Sequence, residues 1–271
     1  MSDKKTEKTP NRYQAIIAQV FADHYSKGEK EFEFKRDEVT SIATTLNIKL
    51  PKNIGDIFYS FRYRNEFPDS IRKTAAKGFE WIIEGAGSAR YRFKQVRLNR
   101  IEPREELLTI KVPDATPEII TAYALSDEQA LLAKVRYNRL VDVFLGITTF
   151  SLQNHLRTTV KEVGQIEIDE IYVGIDRHGR QYVVPVQAKG GNDKHGVVQT
   201  QQDILCCAEK FPNLICRAVS AQFMSEGRIA MFELAAQEGE IKVVDEKHYQ
   251  LVPAKNISIK ELQQYAIRTA C

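Results

Sequence analysis

The chain has 271 residues, of which 43% are hydrophobic and 28% are charged, and its formal net charge is +3. This composition is typical of globular proteins, and the length allows one large or two modest domains; we expect two. No apolar run approaches the roughly 18 residues that cross a bilayer, and the start MSDKKTEKTPNR lacks the apolar core of a signal peptide. We therefore expect a soluble, cytoplasmic protein with no membrane partner.

The charge is unevenly distributed along the chain. Residues 1–100 contain 20 lysines and arginines against 13 acids, a net of +7, whereas the remainder has 19 against 23, a net of −4. An excess of positive charge favours binding to a polyanion, although it is also common on solvated surfaces.

The N-terminal part predicts a winged helix-turn-helix domain over residues 11–100, after a polar tail at 1–10. Apolar residues recur at helical spacing in RYQAIIAQVFADHYSKG, in KRDEVTSIATTLNI, where Val39, Ile42, Ala43 and Leu46 share one side, and in NIGDIFYSFRYRN. Two strands, FEWIIE and RYRFKQV, follow and are joined by GAGSA. Three helices and a hairpin in this order are typical of a winged helix.

In that fold the last helix enters a DNA groove while the hairpin lies along the backbone. The residues that this arrangement offers to DNA are Lys52, Asn53, Tyr59, Arg62, Arg64, Arg90, Arg92 and Lys94. Asn53 is also a plausible N-cap of the third helix. Two alternatives stay open: the alternating basic residues of the last strand form only a solvated face, or the domain serves in dimerisation.

Residues 101–125 contain three prolines and mixed charges, which predicts a linker or an extended crossing segment. From about residue 126 to 271 the pattern predicts a helix to Gly146, a strand at TFSLQNHLRTTV, a hairpin over 165–189 and a helix at VVQTQQDILCCAEKFP. Further strands and a closing helix complete an α/β domain with a mixed sheet flanked by helices. The four cysteines, Cys206, Cys207, Cys216 and Cys271, lack paired CxxC spacing and are expected to be free thiols, mostly buried.

The hairpin QIEIDEIYVGIDRHGRQYVVPVQAKGG carries an unusual polar cluster. Because side chains alternate along a strand, Glu167 and Asp169 share one face, while Glu170 lies on the other face with isoleucines. On the second arm Gln187 and Lys189 project together, and a turn at 177–180 places Asp169 near Gln187. An edge hairpin with solvated charges is the plain alternative, but YVVPVQAKG is too apolar on both faces for an edge strand.

Such a cluster suits hydrolysis of a phosphodiester by a divalent metal ion. A hard cation such as Mg²⁺ prefers oxygen ligands, which Asp169, the side-chain oxygen of Gln187, the carbonyl of Ala188 and Glu167 offer. The ammonium group of Lys189 is suited to orient or deprotonate the attacking water and to stabilise charge on phosphorus.

The two triplets Glu167-Ile168-Asp169 and Gln187-Ala188-Lys189 resemble the core of the PD-(D/E)xK nucleases, which include restriction endonucleases, junction resolvases and repair nucleases. The resemblance is close over about 25 residues and looser over 126–223. It implies a restriction-endonuclease-like fold, catalysis by Asp169, Gln187, Lys189 and Glu167, and Mg²⁺ as cofactor with Mn²⁺ as a substitute. Several family members carry a glutamine near the active site on the helix after the lysine; Gln199, Gln201 and Gln202 are available here.

This chain departs from the family pattern at two positions. No proline precedes Asp169, and a neutral glutamine replaces the acid at position 187. A neutral ligand weakens metal binding, so we expect a need for millimolar Mg²⁺ or a strong response to Mn²⁺. Gln187→Glu is expected to keep or raise cleavage at low Mg²⁺.

Four nearby residues have weaker claims to the site. Glu170 is a poorer ligand than Asp169, and Asp142 is either a further ligand or a residue that only caps charge on a surface. His195 lies between glycines and is expected to be solvated, and His178 is expected to be a turn residue.

These features together predict a sequence-specific endonuclease of double-stranded DNA of the type II restriction kind, acting as a homodimer so that two sites cut two strands. A repair or junction nuclease is an alternative within enzymes. A DNA-binding regulator with a degenerate nuclease fold is an alternative from another class, and an RNA-processing nuclease ranks below both because nothing resembles an RNA-stacking module.

Overall fold

The computed structural model describes residues 12–63, 65–97, 99–123, 127–161, 163–190 and 193–266. The chain divides into two compact units. The first contains the described residues up to Asn99 and the described part of 161–164, and the second contains residues 100–160 and the described residues from Gln165 onward.

The first unit combines four helices with a three-stranded antiparallel sheet. In chain order its elements are α1 (Arg12–His24), β1 (Glu31–Lys35), α2 (Arg36–Thr45), α3 (Gly55–Tyr63), α4 (Asp69–Arg72), β2 (Glu80–Gly85) and β3 (Arg90–Val96). The sheet order is β1-β3-β2. The three predicted helices and the hairpin are therefore confirmed, whereas β1 and α4 were not predicted.

An aromatic core holds the first unit together. Phe34, Phe58 and Phe93 are each at most 2% exposed, and Phe21 packs edge-on against both Trp81 and Phe93. The strand β1 alternates acid and phenylalanine, which is the period-two pattern of a half-buried strand. Leu46, predicted to face inward, is 40% exposed because α2 ends one residue earlier.

The second unit contains one large sheet and its helices. Its elements in chain order are β4 (Arg100–Ile101), β5 (Thr109–Pro113), α5 (Glu118–Tyr123), α6 (Asp127–Tyr137), α7 (Leu140–Leu145), β6 (Thr148–Val160), β7 (Gly164–Ile175), β8 (Gln181–Lys189), β9 (His195–Gly196), α8 (Val197–Lys210), β10 (Ile215–Cys216), β11 (Ala218–Phe223), β12 (Arg228–Gln237), β13 (Glu240–Val252) and α9 (Ile259–Ala266).

Within the described residues the large sheet has the order β5-β13-β12-β11-β8-β7-β6, with β10 as an additional partner of β8. It is mixed, because β11 and β10 run parallel to β8 and β5 runs parallel to β13, while β7/β8, β11/β12 and β12/β13 are antiparallel. Helices α6 and α7 bury an apolar core on one face, and α8 packs on the other. The predicted α/β class with a mixed sheet flanked by helices is confirmed.

Two segments differ from the expectation. The helix predicted up to Gly146 is interrupted, because Arg139 adopts a left-handed φ of 51° between α6 and α7. Residues 101–125, predicted as a linker, contribute β5 to the edge of the large sheet. None of the helices in the described part of the chain has the length and apolarity needed to cross a membrane.

Candidate active site

The polar cluster lies where the pairing of β7 and β8 ends. The register runs from Ile175 opposite Gln181 to Glu170 opposite Val186, with a turn that includes His178, the predicted turn residue. Beyond that last pair, the backbone N–H of Ala188 donates to the carboxylate of Asp169 at 2.8 Å. A side chain thus takes the place of a ladder hydrogen bond and fixes Asp169 beside the Gln187-Ala188-Lys189 triplet.

Asp169 is held in a partly desolvated position. Burial raises its pKa, against the opposing effects of the Ala188 hydrogen bond and the charge of Lys189. The nearby charge of Glu167 raises the pKa further. Because burial disfavours the ionised form of Asp169, a cation bound beside it would stabilise that form.

Gln187 is fully buried and has partners on both ends of its amide. Its Nε2 donates to both carboxylate oxygens of Asp203, at 3.0 and 3.2 Å, and to the carbonyl oxygen of Glu167 at 3.1 Å. Its Oε1, which the sequence assigned to the metal, accepts a hydrogen bond from Gln199 at 2.7 Å. This arrangement favours a hydrogen-bonding role for Gln187 over a role as metal ligand.

Asp203 on α8 was missed by the sequence analysis. It is 2% exposed, and burial raises its pKa well above 3.8, with the charge of Asp169 adding to the effect and the hydrogen bond from Gln187 opposing it. The signal that points to it is an acid at helical spacing with the apolar residues of α8 that face inward, four residues after Gln199.

The other helix positions have different environments. Of the three glutamines predicted on the helix after the lysine, Gln199 contacts the site, whereas Gln201 and Gln202 are half-buried.

Glu167 and Glu170 lie in different environments on β7. The carboxylate of Glu167 is 41% exposed and lies 3.1 Å from Arg157 and 3.6 Å from His155 on β6. Glu170 is fully buried on the opposite face, where Arg136 at 2.8 Å and Ser151 at 2.6 Å donate to its Oε1. Strand alternation predicted that Glu170 lies on the face opposite to Asp169.

A further acid, Glu128, lies within electrostatic range of the cluster and was not predicted. Burial raises its pKa, the charge of Lys189 lowers it, and Asp169 and Asp193 raise it. Asp142, predicted as a further ligand or a charge cap, closes the turn before β6 instead. It accepts from the backbone N–H of Thr149 at 2.8 Å and from the Thr149 hydroxyl, and it pairs with Arg139.

Polar side chains continue from the cluster across the sheet beneath α8. Gln187 lies opposite Ser220 and Lys189 lies opposite Gln222 in the parallel register of β8 and β11. Ser220 and Gln222 are at most 4% exposed, and Gln222 donates to the carbonyl oxygen of Ile101 at 3.2 Å. The site therefore rests on a buried polar layer rather than on an apolar core.

The expectation for His195 was wrong. It is 1% exposed, because β4 pairs with β9 and covers it, and its Nε2 lies 2.5 Å from the hydroxyl of Thr200. Burial, reinforced by the charge of Lys189, lowers its pKa to about 3. The imidazole is consequently neutral at physiological pH. By contrast, Cys206 and Cys207 are buried free thiols, as predicted, and Cys216 is free and partly buried; Cys271 lies outside the described residues.

In the first unit, several predicted DNA contacts have partners within the protein. Asn53 caps α3 through the N–H of Gly55 at 3.1 Å, as the sequence indicated, and Arg62 donates to the carbonyl oxygen of Ile83 at 2.8 Å. Lys52 is exposed, and Tyr59 is 50% exposed. Arg64 lies outside the described residues.

The basic residues of β3 face acids on the neighbouring strand. Arg92 lies 2.8 Å from Glu33, which is 3.6 Å from Arg90. Lys94 lies opposite Glu31 in the register. Much of the positive charge of this strand is therefore neutralised by β1.

The acids around Asp169 offer few oxygen ligands for a Mg²⁺ ion. Mg²⁺ keeps several waters and is usually held by one or two carboxylates together with substrate phosphates. Asp169 and Asp203 supply two carboxylates; burial raises the pKa of each, and the charge of Asp169 raises the pKa of Asp203 further. In the described ranges, no group of three or more His, Cys, Asp or Glu is placed to hold a metal ion. The residues thus fit a largely hydrated divalent ion and not a fully protein-coordinated one.

Comparisons with known proteins found no relative. No protein-family model matches the chain, and no curated protein or solved structure matches it either.

Proposed function

We propose that this protein is a divalent-metal-dependent endonuclease of double-stranded DNA with a restriction-endonuclease-like core, of the type II restriction kind. The observation that carries the proposal is the hydrogen bond from the Ala188 N–H to Asp169, which fixes this acid beside Lys189 at the point where β7 and β8 cease to pair. Acids and a lysine in such partly buried positions require a reason beyond solubility.

The proposed roles follow from the environments of the residues. Asp169 and Asp203 would hold the ion, and Gln187 orients Asp203 by donating to both of its oxygens. When bound, Mg²⁺ supplies Lewis-acid stabilisation of charge on the phosphoryl oxygens. Lys189, half-buried at the end of β8, orients the attacking water and stabilises the developing negative charge.

The first unit is proposed to be a winged helix that binds DNA. Support comes from the element order α1, β1, α2, α3, β2, β3, in which the four-residue helix α4 is inserted between α3 and β2, and from the sheet order β1-β3-β2. Because Arg90 and Arg92 have acidic partners, exposed Lys52, just before α3, is a stronger candidate for a DNA contact. Tyr59, on α3, is half-exposed and is a further candidate. A dimerisation role for this unit remains the competing proposal.

The test is cleavage of fully sequenced phage DNA, methylated and unmethylated, in Mg²⁺ or Mn²⁺. We expect a discrete set of fragments that disappears with chelator. Asp169→Asn and Lys189→Met are each expected to lower the cleavage rate at least 100-fold while DNA affinity is retained. Asp245→Asn and Lys247→Met make the same chemical changes at exposed positions of β13 and serve as matched controls.

Other outcomes identify the alternatives. Preference for branched over linear DNA would indicate a repair or junction nuclease. A DNA-binding regulator is favoured by the neutral Gln187 and by the lack of a three-ligand group among the described residues. Sequence-specific binding without cleavage in any divalent metal would establish that function and overturn the nuclease proposal.

A further inference from the structure

The strand β6 forms an unusually open edge of the large sheet. It is thirteen residues long, and among the described residues its partner in the sheet is β7, on one side only. Every residue from Phe150 to His155 is exposed, so this part of the strand presents solvent-accessible side chains on both faces. Phe150 is 60% exposed and Leu152 is 51% exposed.

The opposite edge of the same sheet is protected. The strand β5 is only five residues long and ends in Pro113, and the backbone N–H of Lys111 donates to the hydroxyl of Tyr265 at 3.0 Å. Short length, proline, lysine and a covering side chain are the usual means by which proteins prevent edge pairing. The β5 edge uses all of them.

The β6 edge uses few of these devices. Its sequence, TTFSLQNHLRTTV, contains no proline and one formally charged residue, Arg157, whose guanidinium is 3.1 Å from Glu167 of the same chain. A positive φ at His155 interrupts the strand near its middle. The segment before it, 148–154, is thus an uncharged stretch with β-branched and apolar side chains.

We infer that segment 148–154 of β6 pairs antiparallel with the same segment of a second copy, about a two-fold axis at Ser151. In that register Phe150 lies opposite Leu152 of the second copy, and Leu152 lies opposite Phe150 of the second copy. The remaining pairs are Thr149 with Gln153 and Thr148 with Asn154, so that no like charges meet. A two-fold interface must be self-complementary in this way.

The surroundings of the edge support a second copy as the occupant. Helices α7 and α8 both pack against β6 and present half-exposed Val143 and Leu205. Cross-strand aromatic and aliphatic pairs at the centre, with apolar side chains beside them, match the apolar core and polar rim of homodimer interfaces. This inference is independent of the proposed nuclease activity.

The experiment is light scattering on the purified full chain over a range of concentrations. We expect twice the 31.0 kDa mass of one chain for the wild type. Leu152→Arg places a charge at the two-fold interface and is expected to give a single-chain mass. Ile259→Arg makes the same kind of change on α9 at a residue that is 75% exposed, and it is expected to remain dimeric.

Hydrogen exchange separates the interface from a general loss of structure. The amides of 148–154 are expected to be protected in the wild type and in Ile259→Arg, and to exchange faster in Leu152→Arg while β8 stays protected. A wild type that is monomeric at all concentrations, or a dimer that survives Leu152→Arg with unprotected β6 amides, would overturn the inference. If β6 instead pairs with a different protein, the purified wild type will be a monomer. A dimeric wild type therefore excludes that alternative.

Discussion

The amide of Gln187 donates to both carboxylate oxygens of Asp203, at 3.0 and 3.2 Å, and both residues are at most 2% exposed. A carboxylate only accepts hydrogen bonds, so the amide is its natural complement in a buried site. An acid at position 187 would instead face a second buried acid. Asp203 therefore explains why position 187 is a neutral glutamine. The Gln187-Ala188-Lys189 triplet alone does not reveal this reason.

This relationship reverses the expectation for Gln187→Glu that the family pattern suggested. Two buried carboxylates without a donor between them repel each other, and the loss of the paired hydrogen bonds leaves buried charge uncompensated. We expect the free energy of unfolding at pH 8 to fall by about 3 kcal/mol. Urea denaturation measures this change, and we expect cleavage in low Mg²⁺ to fall with it.

The double variant Gln187→Glu/Asp203→Asn exchanges the acid and the amide. An amide at position 203 can then donate to a carboxylate at position 187. We therefore expect the double variant to recover most of the unfolding free energy lost in Gln187→Glu. Asp203→Asn alone is the control for the helix position. Equal stabilities of wild type and Gln187→Glu at pH 8 would contradict the proposed contact.

The raised pKa values of Asp203 and Asp169 predict how stability depends on pH. Above 3.8 the unfolded chain releases these protons first, while the folded protein retains them longer. The contribution of these two acids to stability is thus favourable at low pH and declines as pH rises above 3.8 towards and through their folded values. Asp203→Asn is expected to reduce this decline, as measured by urea unfolding between pH 4 and 8.

A bound divalent ion should offset the same decline. We expect Mg²⁺ to raise the melting temperature of the wild type more at pH 8 than at pH 5, since both acids must be ionised to bind it. Asp169→Asn is expected to lack this Mg²⁺ effect, and Asp245→Asn, on the exposed part of β13, to retain it. An equal effect of Mg²⁺ in both variants would show that the ion binds elsewhere.

Most of the fold could be predicted from periodicity, because long helices and hairpins carry strong local patterns. The break between α6 and α7 could not be predicted, because Arg139 adopts a left-handed conformation that usually requires glycine. The strand β5 could not be predicted either, because it forms by pairing with β13, which is far away in the sequence. Prolines in 101–125 suggested a linker, yet Pro113 only ends an edge strand, a position that proline tolerates.

The candidate site was predictable to the extent that it is local. Strand alternation placed Asp169 beside 187–189 and separated it from Glu170, and both relationships hold in the structure. Asp203 and Glu128 reach the site from helices, so their proximity depends on packing that no spacing rule gives.

The contacts of Asp142 predict a structural role. Its carboxylate accepts from Thr149 and pairs with Arg139 at the turn into β6. We expect Asp142→Asn to lower the free energy of unfolding by about 1 kcal/mol, because one hydrogen bond and a charge interaction are weakened. DNA cleavage by the folded variant should match the wild type within twofold. A loss comparable to that of Asp169→Asn would instead restore Asp142 as a ligand.

Lys52 and Arg92 are expected to differ in DNA binding. Lys52 is exposed near α3, whereas Arg92 is 2.8 Å from Glu33 and 3.4 Å from Glu84. If Lys52 contacts a phosphate, Lys52→Gln should reduce the slope of log affinity against log salt by about 1. Arg92→Gln should change this slope much less. Fluorescence anisotropy at several salt concentrations distinguishes the two, and equal slopes for both variants would refute the assignment.

His195 predicts a separate loss of stability in acid. Burial and the charge of Lys189 lower its pKa to about 3, so between pH 6.5 and 3 the unfolded chain takes up a proton that the folded protein excludes. This residue's contribution to stability is complete above pH 6.5 and declines by up to about 1.4 kcal/mol per pH unit below it. His195→Asn removes the titrating group while keeping a polar partner for Thr200. The difference in unfolding free energy between wild type and variant should therefore shrink as pH falls from 6.5, and parallel pH profiles would show that folding does not lower the pKa of His195.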